Sequence, residues 1–368
     1  MRIFMLVQRE GIRGPVPMLT PLLIAELRSL GCVVVTHPWG RKSDDESVGT
    51  KLRRGAQDVL SARRAARGVT FDAAVVTTAH DWRAVLRDVG VALALRRRRR
   101  PIVLHFHGSQ IASLGHGGRH TFGLVTRLLL RLTDGVLVLS MEEKRQLRDF
   151  RPATRVQVVR NPYLRKEFPD PDGRPRSDVP TLLFVGRLLR EKGILDLVEA
   201  MPAVLDRAPC RLVIVGDGDV EGALRDRIRQ LGLTTSVTLA GYLEGEDLLR
   251  AYAAADVFVL PSWSEGFPTV LAEAMDAGLP IVTTRIQGAI DHLVEGEHAL
   301  FVEPRNVEDL ASKLAEAIGD PGLRARMASA NDRRIEMFDP HVVAREYLEV
   351  LRAFSPSVGS EKDADGDC

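Results

Sequence analysis

The 368-residue chain has little of several residue types that usually identify a class of protein. Its three cysteines are odd in number and far apart, which indicates neither a disulfide framework nor a zinc site. Aromatic residues make up only 5%, and no apolar run approaches the ~20 residues that span a bilayer. The short apolar start, Met1–Val7, is followed at once by Arg9 and Glu10, unlike a signal peptide. We therefore expect a cytoplasmic protein.

What the chain does contain is an ordinary globular composition, with 45% hydrophobic and 27% charged residues. Its length is too great for one typical core and suits two domains. The net charge of +2 hides a strong asymmetry: residues 1–165 contain 29 Lys and Arg against 13 Asp and Glu, and residues 166–368 contain 22 against 36. The basic half predicts an anionic partner, which could be nucleic acid, an anionic membrane surface or an acidic substrate.

Both halves alternate strand and helix patterns, which is typical of an α/β fold with doubly wound parallel sheets. In the first half the predicted strands are Ile3–Val7, Val33–Thr36, Ala73–Thr77, Ile102–Phe106 and Gly135–Leu139. In the second half they are Thr181–Val185, Leu212–Val215, Val237–Leu239, Val257–Leu260 and Ile281–Thr283. The first predicted helix is Pro21–Leu30, with Thr20 as its N-cap and Gly31 as its C-cap.

A proline- and glycine-rich segment, Phe168–Asp178, has the composition of a linker between domains 1–165 and 178–338. The polar tail, residues 355–368, is expected to be disordered. Ligands of doubly wound domains bind at the carboxyl ends of the strands, which would also suit a dehydrogenase or an epimerase. The absence of a complete Gly-x-Gly-x-x-Gly pattern argues against the dehydrogenase.

The most informative stretch, residues 262–280, reads Ser-Trp-Ser-Glu-Gly-Phe-Pro-Thr-Val-Leu-Ala-Glu-Ala-Met-Asp-Ala-Gly-Leu-Pro. It follows a buried strand, and Pro268 lies where a first helical residue would lie. Unpaired N–H groups at a helix start can hold a phosphate or a sugar hydroxyl. Glu265 in the turn and Glu273 in the helix can therefore bind different parts of one extended ligand. The plain alternative is a strand–turn–helix with two surface glutamates.

With seven residues between Glu265 and Glu273, this stretch resembles the donor site of retaining nucleotide-sugar glycosyltransferases of the family-4 type, which have the GT-B fold. The resemblance implies two Rossmann-like domains facing a cleft, with a final helix, 340–354, that returns to the N-terminal domain. It also implies that Glu265 lies near the anomeric carbon of the transferred sugar and that Glu273 accepts hydrogen bonds from the ribose hydroxyls. The backbone amides implied to line the sugar and diphosphate are those of Gly266, Phe267, Thr269 and Val270.

A second motif, Thr181–Gly193, is a buried strand followed by a turn that carries Arg187 and Lys192. Two cations at the carboxyl end of a strand can neutralise a diphosphate. Arg binds it through two parallel N–H groups and Lys through a single compact charge. They would ease departure of the nucleoside diphosphate, so we predict an electrostatic catalytic role for both, as the resemblance also implies. The alternative is two solvated loop cations.

Two short loops of the second half complete the expected donor site. Gly216, in Val213-Ile-Val-Gly-Asp-Gly-Asp219, matches the family's loop beneath the nucleotide, and Tyr242 begins the loop that would face the nucleobase. Asp217 and Asp219 also spell the Asp-x-Asp of metal-dependent glycosyltransferases of the other major fold, a pattern that recurs by chance in turns. The resemblance implies no catalytic metal, and we expect no cofactor.

In the first half, His105 and His107 lie two positions apart where one predicted strand ends in a turn, so they share a face. We predict that His107, nearer the carboxyl end, is a polar contact that orients substrate or relays a proton; the alternative is a satisfied core histidine. A metal cluster at His116 and His120 is conceivable, but no ligand-rich partner segment supports it.

The loop after the first strand departs from the family pattern. Many members have a glycine pair here that approaches the donor phosphates, whereas Gly11 and Gly14 are separated by Ile12 and Arg13. Gly14 is retained as a phosphate contact, with Arg13 as a direct cation.

Two clusters of arginine lie in the basic half, Arg96–Arg100 and the helix residues Arg63, Arg64 and Arg67. They fit either a solvated helix end or docking on anionic lipid. A nucleic-acid site is disfavoured because no recognition motif or aromatic interleaving accompanies them.

Together with these patterns, the resemblance implies a glycosyltransferase that moves a sugar from a nucleoside diphosphate to a glycan or lipid-linked acceptor hydroxyl with retention of configuration. The expected setting is polysaccharide or glycolipid assembly at the inner face of a membrane. The alternatives are another enzyme of similar fold, such as a nucleotide-sugar epimerase, and a non-catalytic module that binds an anionic surface.

Overall fold

The computed structural model describes residues 1–9, 15–40, 48–96, 100–109, 120–169 and 179–355. They form two compact units, one of Met1–Pro162 together with the segment from Pro340, and one of Tyr163–Asp339. We call them unit 1 and unit 2. Each is built around its own parallel sheet.

The sheet of unit 1 has the strand order β2-β1-β3-β4-β5-β6, and every strand pair is parallel. Its described strands are β1 Arg2–Gln8, β2 Val33–Trp39, β3 Ala73–His80, β4 Ile102–Ser109, β5 Gly135–Val138 and β6 Val156–Val158. The first five were predicted from the sequence. The prediction missed β6, because three residues at a sheet edge are too short to show a pattern.

Helices cover both faces of this sheet. Those described are α1 Pro15–Ser29, α2 Val48–Arg67, α3 Trp82–Arg96, α4 His120–Leu132, α5 Met141–Phe150 and α13 Pro340–Phe354. Alternate residues of β1 enter different cores, since successive strand side chains point to opposite faces. Phe4 and Leu6 pack with residues of α2, α3 and α4, whereas Ile3 and Met5 pack with residues of α1 and α13.

The first helix begins earlier than predicted. Thr20 is not its N-cap but lies inside α1, which starts at Pro15 and contains Pro21. Leu19, Leu23 and Leu27 are all buried at a spacing of four residues, so core packing extends the helix despite the proline. At the other end, Gly31 has the predicted C-cap geometry, with a left-handed φ of 79°.

The last helix, α13, belongs to unit 1, as the resemblance implied. Tyr347, Leu351 and Phe354 are buried in the same core as residues of β1 and α1. The Phe354 ring lies so close to Gly135 that a Cβ there would be 2.4 Å from it. A glycine at the start of β5 therefore leaves room for the end of this helix.

The sheet of unit 2 has the order β12-β11-β10-β7-β8-β9 and is also parallel. Its described strands are β7 Thr181–Val185, β8 Arg211–Val215, β9 Val237–Gly241, β10 Val257–Leu260, β11 Ile281–Thr284 and β12 Ala299–Val302. Five of these were predicted, and the edge strand β12 was missed. The helices are α6 Ile194–Leu205, α7 Glu221–Gln230, α8 Gly245–Ala253, α9 Thr269–Asp276, α10 Gln287–His292, α11 Val307–Gly319 and α12 Pro321–Arg334, with 3-10 turns at Arg190–Lys192 and Ile335–Phe338.

Candidate functional site

The two motifs of unit 2 meet because their strands are neighbours. β7 pairs directly with β10, so the turns that follow them leave the same edge of the sheet. The turn after β10 ends at Pro268, whose φ of −66° and ψ of 131° make it the N-cap of α9. The helix therefore starts at Thr269, one residue later than predicted.

Lys192 and Glu265 form an ion pair through Lys192 Nζ and Glu265 Oε1. The same carboxylate oxygen accepts a 2.9 Å hydrogen bond from Ser262 Oγ, and the Ser262 side chain is fully buried. Glu265 is thus held by a cation from one motif and a hydroxyl from its own loop. The structure brings together two predicted catalytic side chains that lie 73 positions apart.

Gly193 allows this close approach. It has a left-handed φ of 65°, and a Cβ at this position would be 2.0 Å from the carbonyl oxygen of Pro261. Two further bonds join the loops: the Trp263 backbone N–H donates to Glu191 O at 2.8 Å, and Trp263 Nε1 donates to Asp196 Oδ2 at 2.7 Å. The position of Lys192 beside Glu265 therefore depends on a backbone contact that only glycine permits.

Glu273 is held by two donors. Its Oε1 accepts from Lys166 Nζ at 2.8 Å and its Oε2 accepts from the Tyr252 hydroxyl at 2.8 Å. Tyr252 is buried, and burial together with the Glu273 charge raises its pKa well above the ordinary value. Each carboxylate oxygen can accept more than one hydrogen bond, so Glu273 keeps acceptor capacity while its orientation is fixed.

Asp276, which was not predicted from the sequence, anchors the segment that carries Lys166. This buried carboxylate accepts from Tyr163 Oη at 3.0 Å, Arg165 Nε at 2.9 Å and the Lys166 backbone N–H at 2.7 Å. Burial and the Asp276 charge raise the pKa of Tyr163. An acidic residue three positions after Glu273, among the apolar residues of α9, was the available signal.

The glycine loop after β8 packs against the turn that carries Arg187. A Cβ on Gly216 would be 1.9 Å from the Gly186 carbonyl oxygen, and a Cβ on Gly218 would be 2.5 Å from that of Leu188. The Arg187 side chain is exposed and makes no hydrogen bond or ion pair among the described residues. The Arg187 guanidinium, which has no partner among the described residues, thus lies at the same edge of the sheet as the Lys192–Glu265 pair.

Two contacts, a ring stack at Phe267 and a close backbone approach at Gly266, hold the backbone of these residues in place. The Phe267 side chain is buried and stacks on Phe338 with ring centroids 4.7 Å apart. A Cβ on Gly288, at the start of α10, would be 1.8 Å from the Gly266 carbonyl oxygen, a second close approach that the sequence did not reveal. Thr269 and Val270 form the first turn of α9, where backbone N–H groups have no acceptor within the helix.

Tyr242 follows the edge strand β9. Its side chain is 50% exposed, and its hydroxyl is 3.1 Å from Glu244 Oε2. Its contact with a nucleobase stays a prediction. Asp217 and Asp219 are exposed, and no group of three or more His, Cys, Asp or Glu side chains in the described ranges could hold a metal ion.

In unit 1, His105 and His107 lie side by side at the carboxyl end of β4, with ring centroids 4.0 Å apart. The Nε2 atoms of both are buried and have no hydrogen-bond partner in the part of the chain that the structure describes. They face a small pocket whose other lining residues are Met5, Leu19, Thr20, Leu23, Thr77, Asn161, Pro162 and Tyr347. The predicted shared face of the two rings is confirmed.

Burial keeps both imidazoles neutral. It lowers the pKa of His107 to about 4, and burial with the neighbouring His107 lowers the pKa of His105 well below its ordinary value. The Tyr347 hydroxyl lies 3.3 Å from His105 Nδ1 and orients that ring. At neutral pH, His107 can therefore offer one donor or one acceptor to a ligand, but not a positive charge.

Arg13, Gly14 and His116 lie outside the described residues, as do positions 97–99 of the arginine run and the tail beyond residue 355. Arg96 and Arg100, at the borders of that run, are exposed. Within the described ranges, no helix is long and apolar enough to cross a membrane.

Comparison with known proteins shows to which family the chain belongs. The family described as Glycosyl transferases group 1 matches residues 166–334, and the one described as Glycosyltransferase Family 4 matches residues 22–163. A glycogen synthase of Mycobacterium tuberculosis is 30% identical over 292 residues, which cover 76% of this chain and 68% of that protein. The chain belongs to the group 1 glycosyltransferases of the family-4 type.

Two further proteins resemble this glycosyltransferase. An uncharacterized glycosyltransferase of Methanocaldococcus jannaschii is 33% identical over 185 residues, a match that covers 50% of this chain and 47% of that relative. The crystal structure of Anabaena HepE in complex with UDP and glucose superposes with a TM-score of 0.73 at 22% identity, covering 96% of this chain and all of that one. The fold is therefore GT-B.

Proposed function

We propose that this protein transfers a sugar from a nucleoside diphosphate sugar to an acceptor hydroxyl and retains the anomeric configuration. The observation that carries the proposal is the contact between Lys192 and Glu265, with Arg187 and Glu273 at the same edge of the unit 2 sheet. Family membership supports the transfer. Retention rests on the resemblance of the Glu-x7-Glu stretch to retaining members.

The donor roles follow from charge and position. Arg187 and Lys192 neutralise the diphosphate and so lower the barrier to its departure. Glu273, oriented by Lys166 and Tyr252, accepts hydrogen bonds from the ribose. Glu265 contacts the sugar near its anomeric carbon, and the amides at residues 266–270 bind the sugar and diphosphate. HepE, which shares the fold, was crystallised with UDP, which supports this donor class.

Lys192, which we assign to the diphosphate, is paired with Glu265. A diphosphate at this position would be a second anionic partner of Lys192, whose ammonium group has three N–H donors. Since two cations supply the neutralising charge, we propose that no metal ion is needed.

We propose that unit 1 supplies the acceptor side, with His107 as a neutral polar contact. Its basic sequence half fits a glycan or lipid-linked acceptor presented at an anionic membrane surface, as in polysaccharide or glycolipid assembly. The Arg13 and Gly14 contacts to the donor phosphates belong to the same proposal.

The first test is thermal unfolding with UDP, GDP, ADP, their sugar conjugates and NAD, in the presence of EDTA. A ligand at 100 times its dissociation constant stabilises the fold by about 2.7 kcal/mol, which is measurable. We expect a shift with one nucleoside diphosphate and its sugar conjugates. A shift with NAD alone would instead support a dehydrogenase.

The second test is transfer itself. The selected donor is incubated with candidate acceptors, and the anomeric configuration of the product is read by NMR. An inverted product would contradict retention, and sugar interconversion without transfer would support an epimerase. Binding without either reaction would support a non-catalytic module.

A further inference from the structure

The outer surface of the α3–α4 layer of unit 1 exposes large apolar side chains, where a solvent-facing helix surface is usually polar. On α3, Trp82, Leu86 and Leu93 are 42%, 49% and 52% exposed, and on α4, Leu124 and Leu128 are 62% and 44% exposed. We call these five residues the apolar face. Single exposed leucines are common on proteins, but a contiguous group indicates an interaction surface.

The apolar face is continuous across the two helices. On each helix its residues lie on one side, because they are four or seven positions apart. The helices run side by side in the same direction: at their starts the Trp82 ring meets Phe122 edge-on at 5.8 Å, and at their ends Arg96 Nη1 donates to Arg131 O at 2.9 Å.

Positive charge borders this face without any solvent-facing carboxylate on the same helices. Arg96, Arg127 and Arg131 are exposed on α3 and α4. Together α2, α3 and α4 carry eleven Lys and Arg residues and two Asp residues. Both acids, Asp58 and Asp88, are 1% exposed. The exposed charge described on these three helices therefore has a single sign, whereas α5, which packs against α4, carries an exposed Asp149 beside Arg145 and Arg148.

We infer that the apolar face docks onto an anionic lipid surface, with its leucines at the headgroup boundary. The neighbouring Arg96, Arg127 and Arg131 would then contact lipid phosphates. Apolar and basic residues on one helix surface bind lipid interfaces in this way. A second copy of the chain fits less well, because a two-fold contact sets the same patch against itself. Arg127 and Arg131 would then face the same residues of the partner.

The opposite face of the sheet differs in charge. There α13 presents Arg345 and Arg352 together with Glu346 and Glu349, so that both signs are mixed. Docking through α3 and α4 leaves the carboxyl edge of the strands uncovered, where His107 lies. A lipid-held acceptor can then reach that edge while unit 1 stays on the membrane.

The inference rests on the anionic surface that we propose for unit 1, and it is tested without donor or acceptor. The full-length protein is sedimented with vesicles of phosphatidylcholine alone or mixed with phosphatidylglycerol, at low and high salt. We expect binding only to the anionic vesicles, weakened by salt. Each cation near the surface contributes about fivefold in affinity, so R127Q/R131Q should bind about 25-fold more weakly.

The matched charge control is R345Q/R352Q, which removes two exposed arginines from the opposite face and should leave binding unchanged. R127K/R131K keeps the charge and should bind like the parent protein, which separates loss of charge from loss of folding. Circular dichroism confirms that each variant is folded.

The apolar contribution is measured with L124Q/L128Q, which should weaken binding roughly tenfold, since two leucine side chains no longer enter the lipid. Its control, M18Q/V342Q, changes two exposed apolar residues on α1 and α13 and should have no effect.

Failure to bind anionic vesicles, or equal losses in the variants and their controls, would overturn the inference. A dimer by light scattering that L124Q/L128Q abolishes would assign the apolar face to a second copy instead. Since donor binding is measured without vesicles, a nucleotide shift with no vesicle binding refutes only the docking surface. Vesicle binding without any nucleotide shift refutes only the proposed donor chemistry.

Discussion

In unit 2 the candidate carboxylates are already held by donors, whereas in unit 1 the candidate histidines have buried nitrogen atoms without a hydrogen-bond partner among the described residues. Glu265 and Glu273 each have two partners, and these come from four different segments of unit 2. His105 and His107 are neutral and adjoin a small pocket.

This difference fits the donor and acceptor sides that we propose for the two units. Fixed charges suit a donor whose diphosphate and ribose are the same for every sugar, because preorganised groups need no rearrangement when charge develops. Neutral, unsatisfied imidazoles suit a ligand that brings its own hydroxyl groups. Our predictions test this contrast, from the largest expected effect to the smallest.

Gly193→Ala should destabilise unit 2 by about 4 kcal/mol, since it combines a left-handed residue with a backbone clash at Pro261. The measurement is the free energy of unfolding in urea. Gly232→Ala is the matched control: its φ is 69°, but no atom lies within 4 Å of the added Cβ. It should lose only about 1 kcal/mol. Equal losses would show that the approach of the two loops is not tightly constrained.

Glu265→Gln should lower sugar transfer by 10²–10³-fold, roughly what removal of one preorganised electrostatic group produces. Nucleoside diphosphate binding should stay equal or tighten, because Lys192 loses its anionic partner. Steady-state kinetics and calorimetry measure the two quantities. Glu308→Gln, an exposed change on α11, should alter neither. Weaker nucleotide binding with normal turnover would indicate that Glu265, and not Glu273, binds the ribose.

The stability of unit 1 should fall as the pH is lowered from 6.5 toward 4. The unfolded chain binds a proton on His107 near pH 6.5, but burial lowers the folded pKa to about 4. Stability from the neutral imidazole is therefore complete above 6.5 and is lost as the pH falls. His107→Gln should reduce the drop between pH 7 and pH 5 by about 2 kcal/mol.

Urea unfolding at the two pH values measures this effect, and the NMR titration of the His107 ring gives its pKa directly. His341→Gln changes an exposed histidine of the same unit and is the control. A His107 ring that titrates near pH 6.5 would contradict its burial as a neutral group.

Glu273→Gln should weaken nucleoside diphosphate binding about 10-fold, as expected for loss of a charged hydrogen-bond acceptor. Tyr252→Phe removes only the hydroxyl that holds Glu273 and should weaken binding about fivefold. The corresponding deoxyribose nucleotide provides the check by calorimetry. It should bind equally to the parent protein and to Glu273→Gln. A persistent difference in affinity would show that Glu273 does not act through the ribose hydroxyls.

Several features followed from local sequence patterns. Ten of the twelve described strands carry enough consecutive apolar residues to be recognised, and Gly31 marks the end of α1. The stretch around Glu265 and Glu273 was sufficient to indicate the family. Local patterns failed at α1, where buried leucines extend a helix through proline, and at the short edge strands β6 and β12.

The partners of the site side chains could not be predicted. Lys166 and Tyr252 lie 107 and 21 positions from Glu273, and neither belongs to a motif. In the sequence, nothing distinguished Asp276 from the other residues of its helix, because its three hydrogen-bond donors come from a distant segment. Gly288 gave no sign of its contact with Gly266, because close approach of two backbones is a property of packing.

By itself, the sequence determined the strand and helix pattern, the charge asymmetry and the residue types at Glu265, Glu273, Arg187 and Lys192. Those properties depend on local spacing and composition. Only the tertiary structure decided that Lys192 is paired with Glu265, that His107 is neutral, and that the leucines of α3 and α4 form one exposed face. Each of these depends on which distant segments the parallel sheets set side by side, and on how much water that packing excludes.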